Sequence, residues 1–401
     1  MARETQTVTG RTVRTRADYE RKYDGILKRK PGTVDHLMVI LVAVLTVFGV
    51  VMVFSASYYD SISDTGSPYT FFINQAISAA TGIIMMLILS RINYHMFSKL
   101  AIPITILGFI LLCLIFTPLG RSEGGATRAV YMGFMIMPGE IAKVVLIIFG
   151  AWYFSKDRTR AKKFMGLLPF GVYTLAVVFL IYKQPNLSTA ITVMIIGLGI
   201  AFFAGMQKRY LLIVLLVIAA GLAYLIFIDK SYQHDRIMCW FDPFKYELGI
   251  GFQVVQSLYA IATGGLFGKG LGMSVQKNLY LPEPQNDFII AIIGEELGFL
   301  GIALMLAVFM LLLWRIFRVA IEAEDDFGTL LAGGAGVMIG AQVVLNIAVV
   351  TSSAPPTGIA LPFISYGRNA LWICTALMGI VLNVSRHTRP EPEEDVEENE
   401  E

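Results

Sequence analysis

Apolar residues fall into long unbroken blocks along this chain, and polar residues collect in the gaps between them. Ten blocks stand out, at about 37–56, 70–90, 100–118, 140–155, 165–183, 188–206, 210–228, 288–314, 329–352 and 369–385. A hydrocarbon layer about 30 Å thick takes roughly 20 helical residues to cross, and several blocks have that length. None alternates with the period of two that a membrane barrel strand needs. The pattern predicts an all-α membrane protein, a polytopic bundle of about ten transmembrane helices. The block at 140–155 is short and contains Lys143, which makes it the weakest span. The first block follows a polar tail of 36 residues, so it reads as a signal anchor and not as a cleaved leader.

Composition agrees with lipid as the main solvent. The chain is 56% hydrophobic and 15% charged, with a mean hydropathy of +0.65. A formal net charge of +2 suggests no nucleic-acid partner. Cys113, Cys239 and Cys374 are scattered, which excludes a disulfide framework or a cysteine metal cluster. Lysine and arginine placement sets the orientation: with the N-terminus inside, inner segments hold 22 of 32 basic residues and outer loops hold nine. The expected organisation is a basic cytoplasmic tail (1–36), a membrane domain (37–385) and an acidic cytoplasmic tail (386–401).

One large extracytoplasmic loop, 229–286, separates the seventh and eighth spans. Connections of that length usually have a function. Its middle, "GFQVVQSLYAIATGGLFGKGLG", is apolar enough to lie on the membrane surface. The stretch "GGLFGKGLG" fails as a phosphate loop, because Thr263 replaces the first glycine and Gly270 follows the lysine. Its glycines read instead as sites of close backbone packing. The other polar segments, "GRSEGGATRAVYMGFMIMPGE", "KQPNLS" and "APPTGIALPFISYGR", open on the same outer side. No internal repeat of the transporter kind is evident.

Chemistry concentrates in "YLPEPQNDFIIAIIGEELGF" (280–299), which places Glu283, Asp287, Glu295 and Glu296 beside or inside an apolar run. Asp287 precedes a helix, so it reads either as an N-cap or as a general base at the membrane edge. Capping would lower its pKa, and apolar neighbours would raise it. Glu295 and Glu296 lie roughly 12–13 Å further along a helix. Carboxylates at such depth face a bundle interior or a polar cavity, and structural support is the favoured reading. Glu140 and Lys143 are three residues apart and can pair on one helix face, either as an anchor or as a charge offered to an anionic substrate. Arg128 and Arg368 stand at outer membrane edges as phosphate-holding or snorkelling residues. Glu283 and Glu296 complete the candidate substrate contacts.

These stretches resemble the SEDS proteins (shape, elongation, division and sporulation), the FtsW/RodA/SpoVE group. The resemblance rests on "SLYAIATGGLFGKGLGMSVQKNLYLPEPQNDFIIAIIGEELGFLG" and "TGIALPFISYG", supported by "VMVFSAS", "GATRAVYMGFMIMPGEIAK" and "QPNLSTA". It covers nearly the whole chain and leans towards the division and sporulation branch. It implies a ten-span peptidoglycan glycosyltransferase that polymerises lipid II outside the cytoplasmic membrane, together with a class B penicillin-binding protein. By motif the family's essential aspartate falls on Asp287, and its glutamate and lysine fall on Glu140 and Lys143. The chain departs from the family pattern at Gln285-Asn286, Gly139, Asn186 and Arg368-Asn369.

The implied chemistry has Asp287 as base towards an acceptor sugar hydroxyl. Lys143, Arg128 or a divalent cation, Mg²⁺ or Mn²⁺, would meet the departing pyrophosphate. Two other readings stay open: a flippase for lipid-linked sugars, and a catalytically silent scaffold for the penicillin-binding protein. The first requires charge through the full depth of several spans, whereas here charge favours the outer half.

Overall fold

The structure is a computed structural model that describes residues 32–123, 126–214, 216 and 232–387, with backbone alone at 123, 126 and 232–234. Most of the expected seventh span and most of both tails lie outside the described residues. The other nine apolar blocks all coincide with helices. Seven are long and apolar enough to cross a membrane: α1 (His36–Ala56), α3 (Thr70–Leu89), α6 (Pro138–Ser155), α7 (Phe164–Tyr182), α11 (Ile289–Glu322), α12 (Asp326–Val350) and α13 (Arg368–Ser385). Two shorter apolar helices, α5 (Ala101–Leu114) and α8 (Leu187–Phe203), complete the set. Short helices α2 (Tyr58–Thr65), α4 (His95–Lys99), α9 (Tyr232–Phe241) and α10 (Phe252–Gly264) lie in the connections.

Local chemistry sets the helix ends. Asp35, Asn186 and Asp325 accept amide hydrogen bonds at the starts of α1, α8 and α12, at 3.1, 3.2 and 2.8 Å. Pro138 opens α6, where its missing N–H costs nothing. α12 runs through the middle of the bundle. Its Gly333, Gly334 and Gly336 lie against Phe203, Ile147 and Phe317, because small residues let neighbouring helices approach closely. The outer faces are apolar: α1 exposes Ile40, Val44, Val47 and Val51 along one stripe. Such a stripe would be a liability in water and is natural in lipid. The chain is a multi-pass membrane protein.

Two features depart from the simple helical reading. The segment after α5 folds into a small antiparallel sheet, β1 (Gly120–Glu123), β2 (Ala126–Tyr131) and β3 (Met135–Ile136), in the order β1-β2-β3. The expected single span over 288–314 is also broken: Gly298 takes φ 68° and ψ −169°, which divides α11 into a short buried helix and a longer one. The glycine loop after α10 fills the break. Lys269 and Gly270 donate to the Glu295 and Glu296 carbonyls at 2.9 Å, while Phe299 and Leu300 donate to Gly265 and Leu266 at 2.9 and 3.1 Å. Backbone groups freed by the kink are thereby satisfied inside protein, as lipid demands.

Polar contacts gather at the two ends of the bundle. One end joins the β-sheet, the loop before α11 and the loop before α13. The other holds Asp35–Arg315, His95–Asp325 and Asp326–Arg158, at 2.6, 3.1 and 2.9 Å.

Candidate active site

Asp287 lies two residues before α11, in a loop shaped by Glu283, which adopts φ 47°. It does not cap the helix. Phe288 holds that position, and among the described residues no group donates to the Asp287 carboxylate. What fixes the loop is its backbone. The Asn346 amide, 1% exposed on α12, donates to the carbonyls of Asp287 (2.8 Å) and Ile359 (2.5 Å). Tyr366 N–H donates to the Gln285 carbonyl at 2.8 Å, tying the loop before α13 to the same place. Gly358 faces the carboxylate so closely that a Cβ there would overlap Asp287 Oδ2. Asp287 is half-buried, and its carboxylate is free of hydrogen bonds from the described residues and crowded on one side by Gly358.

Its electrostatics follow from that position. Burial pushes the Asp287 carboxyl up to about 6, the negative charge of Glu283 adds to the rise, and Arg128 opposes it. Arg128 reaches in from β2. Its Nη2 donates to the Pro185 carbonyl at 2.7 Å, and its buried Nε has no partner among the described residues. Asn286 holds the Glu283 carboxylate at 2.8 Å. Asp60, on α2, joins this group: burial raises its pKa against a hydrogen bond with the Gln285 side chain, and Asp64 and Glu283 raise it further.

The structure thus gathers Asp287, Glu283 and Arg128 in one electrostatic neighbourhood, and the other candidates make contacts of their own. Glu140 and Lys143 form a 2.7 Å ion pair in the first two turns of α6, and Lys143 is only 2% exposed. Arg368 is exposed, with its guanidinium 5.6 Å from the centre of the Trp372 ring. Glu296, expected among the substrate contacts, is fully buried. It binds Lys277 at 2.8 Å and Ser55 at 2.7 Å, so its carboxylate fastens the loop to α1 and presents no surface. Glu295 is equally buried and pairs with Lys269 at 2.6 Å and with the amides of Val275 and Gln276. Lys269, in the glycine-rich stretch, is thereby occupied by protein.

Sequence reasoning missed Asn346, Gly358 and Asp60. Only Asn346 left a readable signal, a lone amide in the long apolar block "VVLNIAVV". Among the described residues no group of three or more His, Cys, Asp or Glu side chains converges as a metal-ligand set. An apolar groove of about 240 Å³ lies between α3, β3, α6 and α13. Met85, Phe134, Ile136, Ile141 and Trp372 line it, and Asn369 supplies polarity.

Comparison with known proteins gives this architecture a context. The profile of the FtsW/RodA/SpoVE cell cycle proteins matches residues 35–390. The chain belongs to that family. It is 38% identical over 358 residues to a probable peptidoglycan glycosyltransferase FtsW of Geobacter sp. (strain M18), covering 88% of this chain and 97% of that one. It is 37% identical over 363 residues to the stage V sporulation protein E of Bacillus subtilis (strain 168), covering 90% and 99%. Among solved structures, a chain of a peptidoglycan synthase complex that coordinates polymerization and crosslinking superposes with a TM-score of 0.75 at 26% identity, covering 89% of this chain and 99% of that one. The rod shape determining protein RodA of Thermus thermophilus superposes with a TM-score of 0.66 at 26% identity, covering 89% and 98%. Both family similarity and fold therefore extend over the helical bundle, including the loop that carries Asp287.

Proposed function

We propose that this protein is a peptidoglycan glycosyltransferase of the bacterial cytoplasmic membrane, multi-pass with both termini inside, that polymerises lipid II at the outer face. One observation carries the reading: Asp287 is a half-buried carboxylate, raised to about 6, that accepts no hydrogen bond from the described residues and has Glu283 and Arg128 as its charged neighbours. A base with a pKa near the working pH accepts a proton readily and is still mostly ionised. Asp287 takes the proton from the acceptor's sugar hydroxyl as that oxygen attacks the donor's anomeric carbon. The new C–O bond forms on the face opposite the pyrophosphate, which leaves with the bonding electron pair, so the linkage inverts. Arg128, whose Nε has no partner among the described residues, suits the developing negative charge. Lys143 is buried and paired with Glu140 one turn earlier on the same helix, α6.

The groove between α3, β3, α6 and α13 suits a polyprenyl chain, because it is apolar along its length and opens beside the polar end of the bundle. Among the described residues no group of His, Cys, Asp or Glu side chains forms a ready-made cage for Mg²⁺ or Mn²⁺. A requirement for one is tested by adding EDTA. A class B penicillin-binding protein is the proposed partner, supported by the similarity to a chain from a synthase complex.

Purified Asp287→Asn protein should make glycan strands from lipid II at least about 10²-fold more slowly than wild type. Above pH 6 its melting temperature should be no lower than that of wild type, because the buried charge is gone. Near-wild-type strand synthesis by this variant, read on gels, rejects the assignment.

A further inference from the structure

A second cavity takes no part in this mechanism. It is a cleft of about 560 Å³ between the end of α5, the β1–β2 hairpin and the turn joining α7 to α8. Its lining is neither that of a lipid groove nor that of an anion site. Ser122 and Thr127 pair across the two strands, so their hydroxyls share one face of the hairpin, and Thr117, whose hydroxyl donates to the Leu114 carbonyl at 2.6 Å, adds an acceptor oxygen. Gln184, 2% exposed, is held in the wall by its bond to the Leu112 carbonyl. The rim carries an exposed ring, Phe116, and one exposed cation, Lys183.

Hydroxyls donate and accept, an amide side chain does both, an aromatic face packs against apolar ring faces, and a lone ammonium meets a carboxylate. That combination recognises a chain of N-acetylated amino sugars bearing occasional carboxylates. The cleft is one residue away from the reacting group. Pro185 in its wall accepts the hydrogen bond from Arg128, and Arg128 is the cation that Asp287 senses.

We propose that this cleft is a saccharide subsite that holds the part of the growing glycan strand already past the reacting carboxylate. The inference rests on the polymerase reading above. A strand gripped there stays beside Asp287 between additions, so the cleft sets product length.

The test fills the cleft from its exposed wall with Ser122→Trp and, separately, Thr127→Trp. Binding is read directly with a lipid-free tetrasaccharide of alternating N-acetylglucosamine and N-acetylmuramic acid that keeps its stem peptides and their carboxylates, which needs no catalysis. Wild type and Asp287→Asn should bind it equally, and each tryptophan variant at least tenfold more weakly. Strands made by the tryptophan variants from lipid II should be several-fold shorter. Lys183→Met should weaken the carboxylate-bearing tetrasaccharide while leaving neutral chitotetraose unaffected, which keeps the test valid if a tryptophan variant fails to fold. Equal binding by wild type and filled variants, no binding by wild type, or unchanged strand length overturns the subsite. Failure of wild type to make strands while Asp287→Asn still binds the tetrasaccharide overturns the polymerase reading instead.

Discussion

At Asp287 three influences compete for one proton. Burial disfavours the charged form, Glu283 disfavours it further, and Arg128 favours it, with the outcome near 6. A base must be ionised to act, so strand synthesis should fall as pH drops through about 6 and level off above it. Glu283→Gln removes a like charge and should move that acid limb to lower pH, whereas Arg128→Gln removes the opposing charge and should move it higher. Initial rates of lipid II consumption across the limb check both shifts, and an unmoved limb in both variants would show that another group titrates. Stability runs the other way. A raised carboxyl pKa means the folded state holds the proton more tightly, so this contribution is full below 3.8 and is lost as pH rises through about 6. Activity is therefore gained over the same interval in which the site gives up stability. That an acid would stand at this point was legible from "QNDF" before an apolar run. Its freedom from hydrogen bonds was not, because that depends on Asn346, Gly358 and Tyr366, which lie 59 to 79 positions later and hold only the loop's backbone or crowd its carboxyl.

The element that organises this end of the molecule is the broken helix α11. "GEELGFLG" reads as continuous helix because an isolated glycine inside an apolar block is tolerated. Here Gly298 takes a left-handed φ, and the loop Gly264–Lys277 packs into the gap. A Cβ at Gly264 or Gly268 would overlap the carbonyls of Gly294 or Glu296, which explains the glycine richness of this stretch. The two buried glutamates then act as fasteners: Glu295 to Lys269 and the Val275–Gln276 amides, Glu296 to Lys277 and Ser55 of α1. Removing one partner of a buried pair strands a charge, at about 3–5 kcal/mol. Lys277→Met should accordingly lower the melting temperature sharply in detergent. The double variant Lys277→Met/Glu296→Leu should recover part of the loss, since it leaves no unpaired charge. Equal melting of the single variant and wild type would mean that the pair contributes nothing to holding the loop. The need for a cationic or hydrogen-bonded partner was readable from the depth of these acids, but its identity was not, as Lys277 lies in a polar stretch with no helical period linking it to Glu296.

Across the whole molecule, what was legible is what lipid enforces. Nine apolar blocks became helices because a chain in hydrocarbon must satisfy its backbone internally. The small β-sheet escaped notice because its strands are two to six residues long and too short to show a period. The ends of the bundle differ in character. One carries Asp287, Arg128, the cleft and the sheet; the other is closed by the ion pairs Asp35–Arg315, His95–Asp325 and Arg158–Asp326. At Asp325 burial would raise the carboxyl, but hydrogen bonds from His95, the Gly328 amide and Tyr94 outweigh it and hold the pKa low. Basic residues are concentrated on the segments at this second end, and the proposed topology accordingly has it in the cytoplasm and the Asp287 end outside. Single cysteines in a Cys113→Ser background test that placement, because the other two native cysteines are buried. Leu248 is 97% exposed in the long loop before α10, and Lys163 is exposed between α6 and α7. A membrane-impermeant maleimide added to intact spheroplasts should label Leu248→Cys and spare Lys163→Cys, and lysis should make both reactive. The reverse pattern would put Asp287 on the side where nucleotide-activated sugars are made. A pyrophosphate-linked lipid would then no longer be the required donor, and the mechanism built on it would fail with the topology.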